Sequence, residues 1–222
     1  MTLLSMAALA GLAMFAAAWG AFRFTLRDPE RTPPTEEHII VAPADGRIKY
    51  IKRIERGTIP YSEKNGRHIP ILESTKILSV EDGYLIGVWM SFLVVHVQRV
   101  PVNGIVEKQL YHASGKFLDP HLQEGADYQN ERNVIAIKSS DFPAPVIVIQ
   151  IASILVRRII SYLKEQMPVR IGDRLGLIRM GSQVDIVIPA MDTLRLCVSV
   201  GDRVTAGETV IARYSPGTSQ HQ

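Results

Sequence analysis

The stretch RLGLIRMGSQVDIVIPAMD, residues 174–192, sets a glycine–serine pair, Gly181-Ser182, between two segments that read as strand. Leu175 to Met180 is largely apolar, and Val184 to Ile188 alternates apolar and polar residues with the period of two that marks a half-buried strand. Glycine inside a strand gives up a packing side chain and marks a bulge or a close backbone approach. Taken alone, the pair is a bulge beside an exposed serine. Anything more must come from the rest of the chain.

The chain has 222 residues, 46% of them hydrophobic, enough for one sizeable core or for two small cores sharing a sheet. A net charge of +3, with no Lys/Arg run longer than Arg157-Arg158, is far from a nucleic-acid-binding stripe, and no nucleic-acid partner is expected. The single cysteine, Cys197, excludes an internal disulfide and is expected to sit in a strand core as a small hydrophobe. The histidines lack metal-ligand spacing, so no metal is expected.

Thr2 to Phe22 carries no charge. A helix over this run spans about 30 Å, the thickness of a bilayer's hydrocarbon core. A cleaved secretory signal is the rival reading, but it usually has a basic segment before the apolar run, and none is present. Arg23 and Arg27 follow the run, which keeps the remaining chain on the cytoplasmic side. The expected organisation is a membrane anchor over residues 1–22, a linker over 23–38, and one domain over 39–222. Localisation is then the cell membrane.

Short β segments punctuated by Gly, Pro, Asn and Asp fill the domain. They are Ile39–Val41, Gly46–Ile54, Thr75–Ser79, Gly83–Met90, Leu93–Val97, Gly104–Leu110, Asn133–Ser139, Val146–Ile151, Asp185–Ile188, Thr193–Val198 and Thr209–Tyr214. One helix is expected over Ala152–Glu165. Two internal echoes appear: PADGRI at Pro43 against PVNGIV at Pro101, and IGDRLGLI at Ile171 against VGDRVTAGETVI at Val200. Each is a tight turn flanked by β-branched residues. The fold class is therefore mostly β with one or two short helices, a duplicated β-hybrid (barrel-sandwich-like) core behind a transmembrane helix. The C-terminal segment looks like a biotin or lipoate carrier module, but its AMDT turn offers no lysine to modify.

Five segments in order, FRFTLRDPERTPP, VAPADGRI, FLVVHVQRVPVNGIV, YHASGKFLDP with NERN, and IGDRLGLIRMGSQVDIVIP, resemble phosphatidylserine decarboxylase proenzymes of the short archaeal and bacterial form. The resemblance covers essentially residues 22–214. It implies that the Gly181–Ser182 bond cuts itself, leaving a pyruvoyl group derived from Ser182 on a small chain, 182–222, that stays paired with a large chain, 1–181. Serine's hydroxyl attacks the preceding carbonyl, the amide becomes an ester, and elimination and hydrolysis leave a ketone. A glycine before the serine keeps that approach open, and the attack needs a base. The family's processing unit is Asp-His-Ser.

Asp45 of PADG matches the family aspartate, although an Asp-Gly turn explains it equally from sequence. His96 matches a family histidine by its distance before Pro101 and shares a strand face with Phe92, Val94 and Gln98. Longer family members carry a second histidine three residues later, where this chain has Arg99. His112 of YHASGKF is therefore the second-ranked base. The implied activity is conversion of phosphatidylserine to phosphatidylethanolamine and CO2 through a Schiff base to the pyruvoyl ketone, without pyridoxal phosphate. The alternatives are a membrane-tethered adaptor without chemistry and a decarboxylase of another serine lipid, such as an ether-linked one. A higher oligomer is left open.

Overall fold

The computed structural model describes residues 10–16, 19–20, 23–24, 27–56, 62–64, 67–69, 80–91, 93–113, 131–152, 159–179 and 183–215. The described strands are, in chain order, β1 (Ile39–Val41), β2 (Gly46–Ile54), β3 (Ser62–Lys64), β4 (Arg67–Ile69), β5 (Gly83–Trp89), β6 (Val97–Arg99), β7 (Gly104–His112) and β8 (Arg132–Lys138). Then follow β9 (Val146–Ile151), β10 (Ile159–Ser161), β11 (Pro168–Val169), β12 (Arg174–Ile178), β13 (Gln183–Pro189), β14 (Arg195–Leu196), β15 (Arg203–Val204) and β16 (Val210–Arg213). Eight of them form one sheet in the order β11-β7-β8-β9-β13-β5-β2-β15, with smaller sheets β1-β16-β14, β10-β12-β6 and β3-β4. The central strands β9 and β13 are buried along their whole length, because the large sheet carries a core on each face. Ile86, Val148 and Ile186 belong to one core, and Leu85, Ile147 and Val187 to the other.

The order of the large sheet reads as a palindrome about the β9–β13 pair, and the hydrogen bonds obey the same pseudo-two-fold. Val41 N donates to Pro101 O while, 58 residues on, Arg99 N donates to Pro43 O. Strands β2 and β7 are related by the same shift, and each carries a bulge at the equivalent place, between Ile48 and Tyr50 and between Val106 and Lys108. Asn103 Oδ1 accepts Ile171 N as Asp45 Oδ1 accepts Ala206 N, both at 2.8 Å. Gly172 N reaches Val100 O as Gly207 N reaches Ala42 O, and both glycines hold positive φ. One half is β1, β2, β5 and β13–β16; the other is β6–β12, inserted into it.

The structure corrects several expectations. Within the helix expected over Ala152–Glu165, Ile159–Ser161 is instead β10, paired with β12. Its two adjacent β-branched residues, Ile159 and Ile160, suit an edge of a sheet better than a helix. The strand expected over Leu93–Val97 forms later, so His96 stands at the entrance of β6. Cys197 is exposed, accepting from Arg213 at 3.1 Å, and is not a core residue. Thr75–Ser79 lies outside the described residues. Residues 10–16, 19–20 and 23–24 are helical and exposed. No helix of the described residues is long and apolar enough to cross a membrane, and the rest of the expected anchor lies outside those residues.

Residues 28–36, expected as linker, are strapped onto the domain. Asp28 bonds Arg99 and Arg174, Arg31 bonds Asp45 and Glu208, and Glu36 bonds Arg213.

Candidate active site

His96 is fully buried where β6 begins, and its carbonyl accepts the amide of Ile178, the last residue of β12, at 3.2 Å. The ring is oriented from the backbone: Nδ1 lies 2.8 Å from Val94 O, which can only accept, so Nδ1 carries the proton. Nε2 is thereby left with its lone pair, buried and without a hydrogen-bond partner among the described residues. Burial lowers the ring's pKa from 6.5, a shift opposed by the Val94 hydrogen bond and by the charge of Asp45. A neutral imidazole with a free, unsolvated Nε2 is a base in waiting.

Below His96 runs a buried amide chain. Gln98 Nε2 donates to His96 O at 2.8 Å, Gln150 Nε2 to Gln98 Oε1 at 2.9 Å, and Asn133 Nδ2 to Gln150 Oε1 at 2.8 Å. All three side chains have no exposed surface. The chain ties β6 to β9 and β8, so the backbone at His96 is held by the core of the large sheet. Sequence reasoning treated Gln98 only as a neighbour of His96 on one strand face. Buried amides look like any polar residue in a strand until their partners are seen.

Asp45 does not orient the His96 ring, since no hydrogen bond joins them among the described residues. Its carboxylate accepts Ala206 N at 2.8 Å and the Arg31 guanidinium at 2.9 Å. Arg99 is nearly buried and is committed elsewhere: its guanidinium donates to Asp28 at 2.6 Å, Pro29 O at 2.8 Å and Gly172 O at 3.3 Å. It pins the strap.

Gly181 and Ser182 lie outside the described residues, but the chain on each side is fixed. Ile178 is bonded to His96, and Gln183 opens β13 between Trp89 and Ile151. Three residues of chain span at most about 10 Å, so Gly181 is tethered within that radius of Ile178. His112 is farther from this junction. It pairs with Arg132, which pairs with Ile151, which pairs with Gln183, a separation of three strand spacings or about 14 Å.

A second buried cluster braces β13 just after the junction. Tyr50 Oη donates to Asp185 Oδ2 at 2.7 Å, and Gln183 Nε2 donates to Asp185 Oδ1 and Tyr50 Oη, both at 2.8 Å. Alternation placed Asp185 on a polar face, but it is fully buried. Gly87 makes this possible: a Cβ there would stand 2.5 Å from the Tyr50 ring.

A cavity of about 380 Å³ is lined by Asp45, Arg47, Trp89, Arg203 and Val94, the last of which carries the carbonyl that holds the His96 ring. The arrangement joins a neutral base, a tethered peptide junction and a mouth edged by two arginines.

Comparison with known proteins gives the family. Residues 20–212 match the family model described as phosphatidylserine decarboxylase. The chain is 41% identical over 209 residues to a protein of Methanothermobacter thermautotrophicus named "Putative archaetidylserine decarboxylase proenzyme", covering 93% of this chain and 86% of that one. It is 38% identical over 203 residues to the phosphatidylserine decarboxylase proenzyme of Azorhizobium caulinodans, covering 91% of this chain and 77% of that one.

Proposed function

The chain belongs to the phosphatidylserine decarboxylase family, and from that premise we propose that it is a self-processing carboxy-lyase that cuts itself at Gly181–Ser182 and converts phosphatidylserine to phosphatidylethanolamine and CO2. The observation that carries the reading is His96: a buried, neutral imidazole whose Nε2 has no partner among the described residues and whose carbonyl holds the strand three residues before Gly181.

In processing, His96 Nε2 takes the hydroxyl proton as Ser182 Oγ attacks the Gly181 carbonyl carbon. The C–N bond breaks as the C–O ester bond forms, and the freed amine takes a proton. Loss of the Ser182 α-proton then expels the Gly181 carboxylate, and water replaces the resulting imine nitrogen, releasing ammonia. The products are chains 1–181 and 182–222, the latter beginning with a ketone. Asp45 acts on His96 through space, raising its basicity against the cost of burial. The amide chain through Gln98 fixes the backbone that carries the ring.

The dry, unpartnered Nε2 also fits a pyruvoyl group formed at position 182. That group supplies the carbonyl that captures the substrate amine and the electron sink for the electron pair left by CO2. His96 Nε2 is then placed to hold or return a proton at the substrate carbon. The apolar N-terminal run would keep the domain at the cytoplasmic face of the cell membrane, where a lipid substrate resides.

Intact mass spectrometry of the purified protein tests the proposal. Two chains divided after residue 181, with a borohydride-reducible group on the smaller, are expected. Ser182→Ala should give one uncut chain without decarboxylase activity; a fully active, uncut protein overturns the reading.

A further inference from the structure

The pseudo-two-fold gives the molecule two equivalent ends, and comparing them isolates what one end has acquired. At the His96 end, Arg203 and Arg47 are direct cross-strand partners on β15 and β2. The equivalent pair at the other end, on β11 and β7, is Pro168 and Ile105. Both ends keep the bulge, the close glycine approach of Gly46 or Gly104, and the side-chain cap from Asp45 or Asn103. The backbone therefore does not require arginine. His38 occupies the place equivalent to His96, but its side chain is 38% exposed and contacts Asp141 at 3.8 Å. Only one end has both a buried histidine and a pair of arginines.

Two like charges directly opposite each other on adjacent strands repel and destabilise the pair. Both arginines are exposed, and neither forms an ion pair among the described residues. Arg47 spends one donor on Gly201 O at 2.9 Å, leaving the rest of its fork. The carboxylate in the same cavity, Asp45, is already held by Arg31 and Ala206 N. What remains is a cavity edge where the two arginines have no anionic partner of their own among the described residues.

Its distance from the chemistry is set by the sheet. Gln183, Trp89, Arg47 and Arg203 are successive Cα partners across β13, β5, β2 and β15. Strands lie about 4.8 Å apart, so Arg47 stands about 10 Å from the residue that follows position 182. In a phosphoserine head group the amine and the phosphorus are separated by four bonds, about 5 Å. An arginine side chain covers the difference.

We propose that Arg47 and Arg203 form the binding site for the phosphodiester of the reacting lipid, fixing the head group so that its amine reaches position 182. The inference rests on the proposed decarboxylase reading. Guanidinium forks suit phosphate oxygens, and the bound monoanion would relieve the repulsion between the two side chains.

The test uses the full-length, self-cleaved protein and the variants Arg203→Gln and Arg47→Gln. Both variants should mature into two chains like the wild type. With a short-chain phosphatidylserine kept below its micelle concentration, KM should rise about tenfold to a hundredfold, and kcat should change far less. Glycerophosphoethanolamine, titrated calorimetrically, should bind the wild type and lose affinity by a similar factor in the variants. Thermal stability of Arg203→Gln should hold or rise, which a merely structural arginine would not allow. Unchanged KM on the soluble substrate overturns the inference. If the variants lose only binding to anionic vesicles, the pair reads the bilayer surface and the proposal also fails. A wild-type protein that neither cuts itself nor decarboxylates phosphatidylserine would instead sink the underlying function.

Discussion

At the scale of single residues, the site turns on which histidine can act, and proximity decides it. His96 shares a backbone hydrogen bond with Ile178, whereas His112 is three strands from Gln183. His96→Ala should therefore slow maturation by about 10²–10⁴-fold, the usual worth of a general base. Accumulation of the uncut chain on a gel measures it. His112→Ala should mature at the wild-type rate, and the reverse result would transfer the role. The sequence made His96 visible through its spacing to Pro101, but it could not show that Val94 O, and not Asp45, sets the ring's tautomer. Nor could it show that Arg99, at the place where the resemblance to longer family members implies a histidine, is a clamp. The direction of the His96 shift adds a pH prediction. Burial favours the neutral ring, so base activity should persist as pH falls below 6.5 and decline only at lower pH. The same depression means that stability contributed by the neutral ring is full above 6.5 and is lost as pH falls toward the folded value. A maturation rate that halves at or above pH 6.5 would contradict this.

At the scale of elements, the strands that were legible are those with one wet face or a clear turn at each end. Gly46–Ile54 and Val146–Ile151 were read with their observed bounds because PADG and the prolines before Val146 punctuate them. Within the helix expected over 152–165, Ile159–Ser161 was misread because an apolar run without alternation suits a helix as well as a strand. Only pairing with β12 distinguishes them, and pairing is a long-range fact. The same holds for Gln98, Gln150 and Asn133, whose value lies in three bonds across three strands. Gln150→Leu should strand the Gln98 carbonyl and the Asn133 amide in the core, costing about 1–3 kcal/mol per orphaned group. Denaturant unfolding of the Ser182→Ala background reads stability, and the maturation rate of the otherwise native chain reads the displacement of His96. A Gln150→Leu protein with unchanged stability and maturation would remove the amide chain from the argument.

At the scale of the whole molecule, the duplication was half legible. The echo 58 residues apart survives in sequence because both copies need an Asx-Gly turn at the same place. The matching shift of about 35 residues, which relates Pro168–Val169 to Arg203–Val204, keeps only scattered identities, Val169 with Val204 and Gly172 with Gly207, too few to stand out. The two Gly-Asp-Arg triplets are alike locally, each with its aspartate accepting a backbone amide three residues earlier, yet they are not equivalent positions in the two halves. Between the N-terminal apolar run and the sheet lies the strap, and it separates two consequences of truncation. Deleting residues 1–26 removes the apolar run but keeps Asp28, Glu30 and Arg31. That protein should stay in the supernatant when membranes are pelleted, fold, and mature normally. Deleting residues 1–38 removes the carboxylate that Arg99 grips at 2.6 Å while Arg99 stays buried. A buried charge stripped of its partner costs about 3–5 kcal/mol. The longer deletion should therefore melt well below the shorter one and mature slowly, because Arg99 also holds the Gly172 turn that leads into β12 and Ile178. Equal melting temperatures for the two truncations would show that the strap lies on the domain without supporting it.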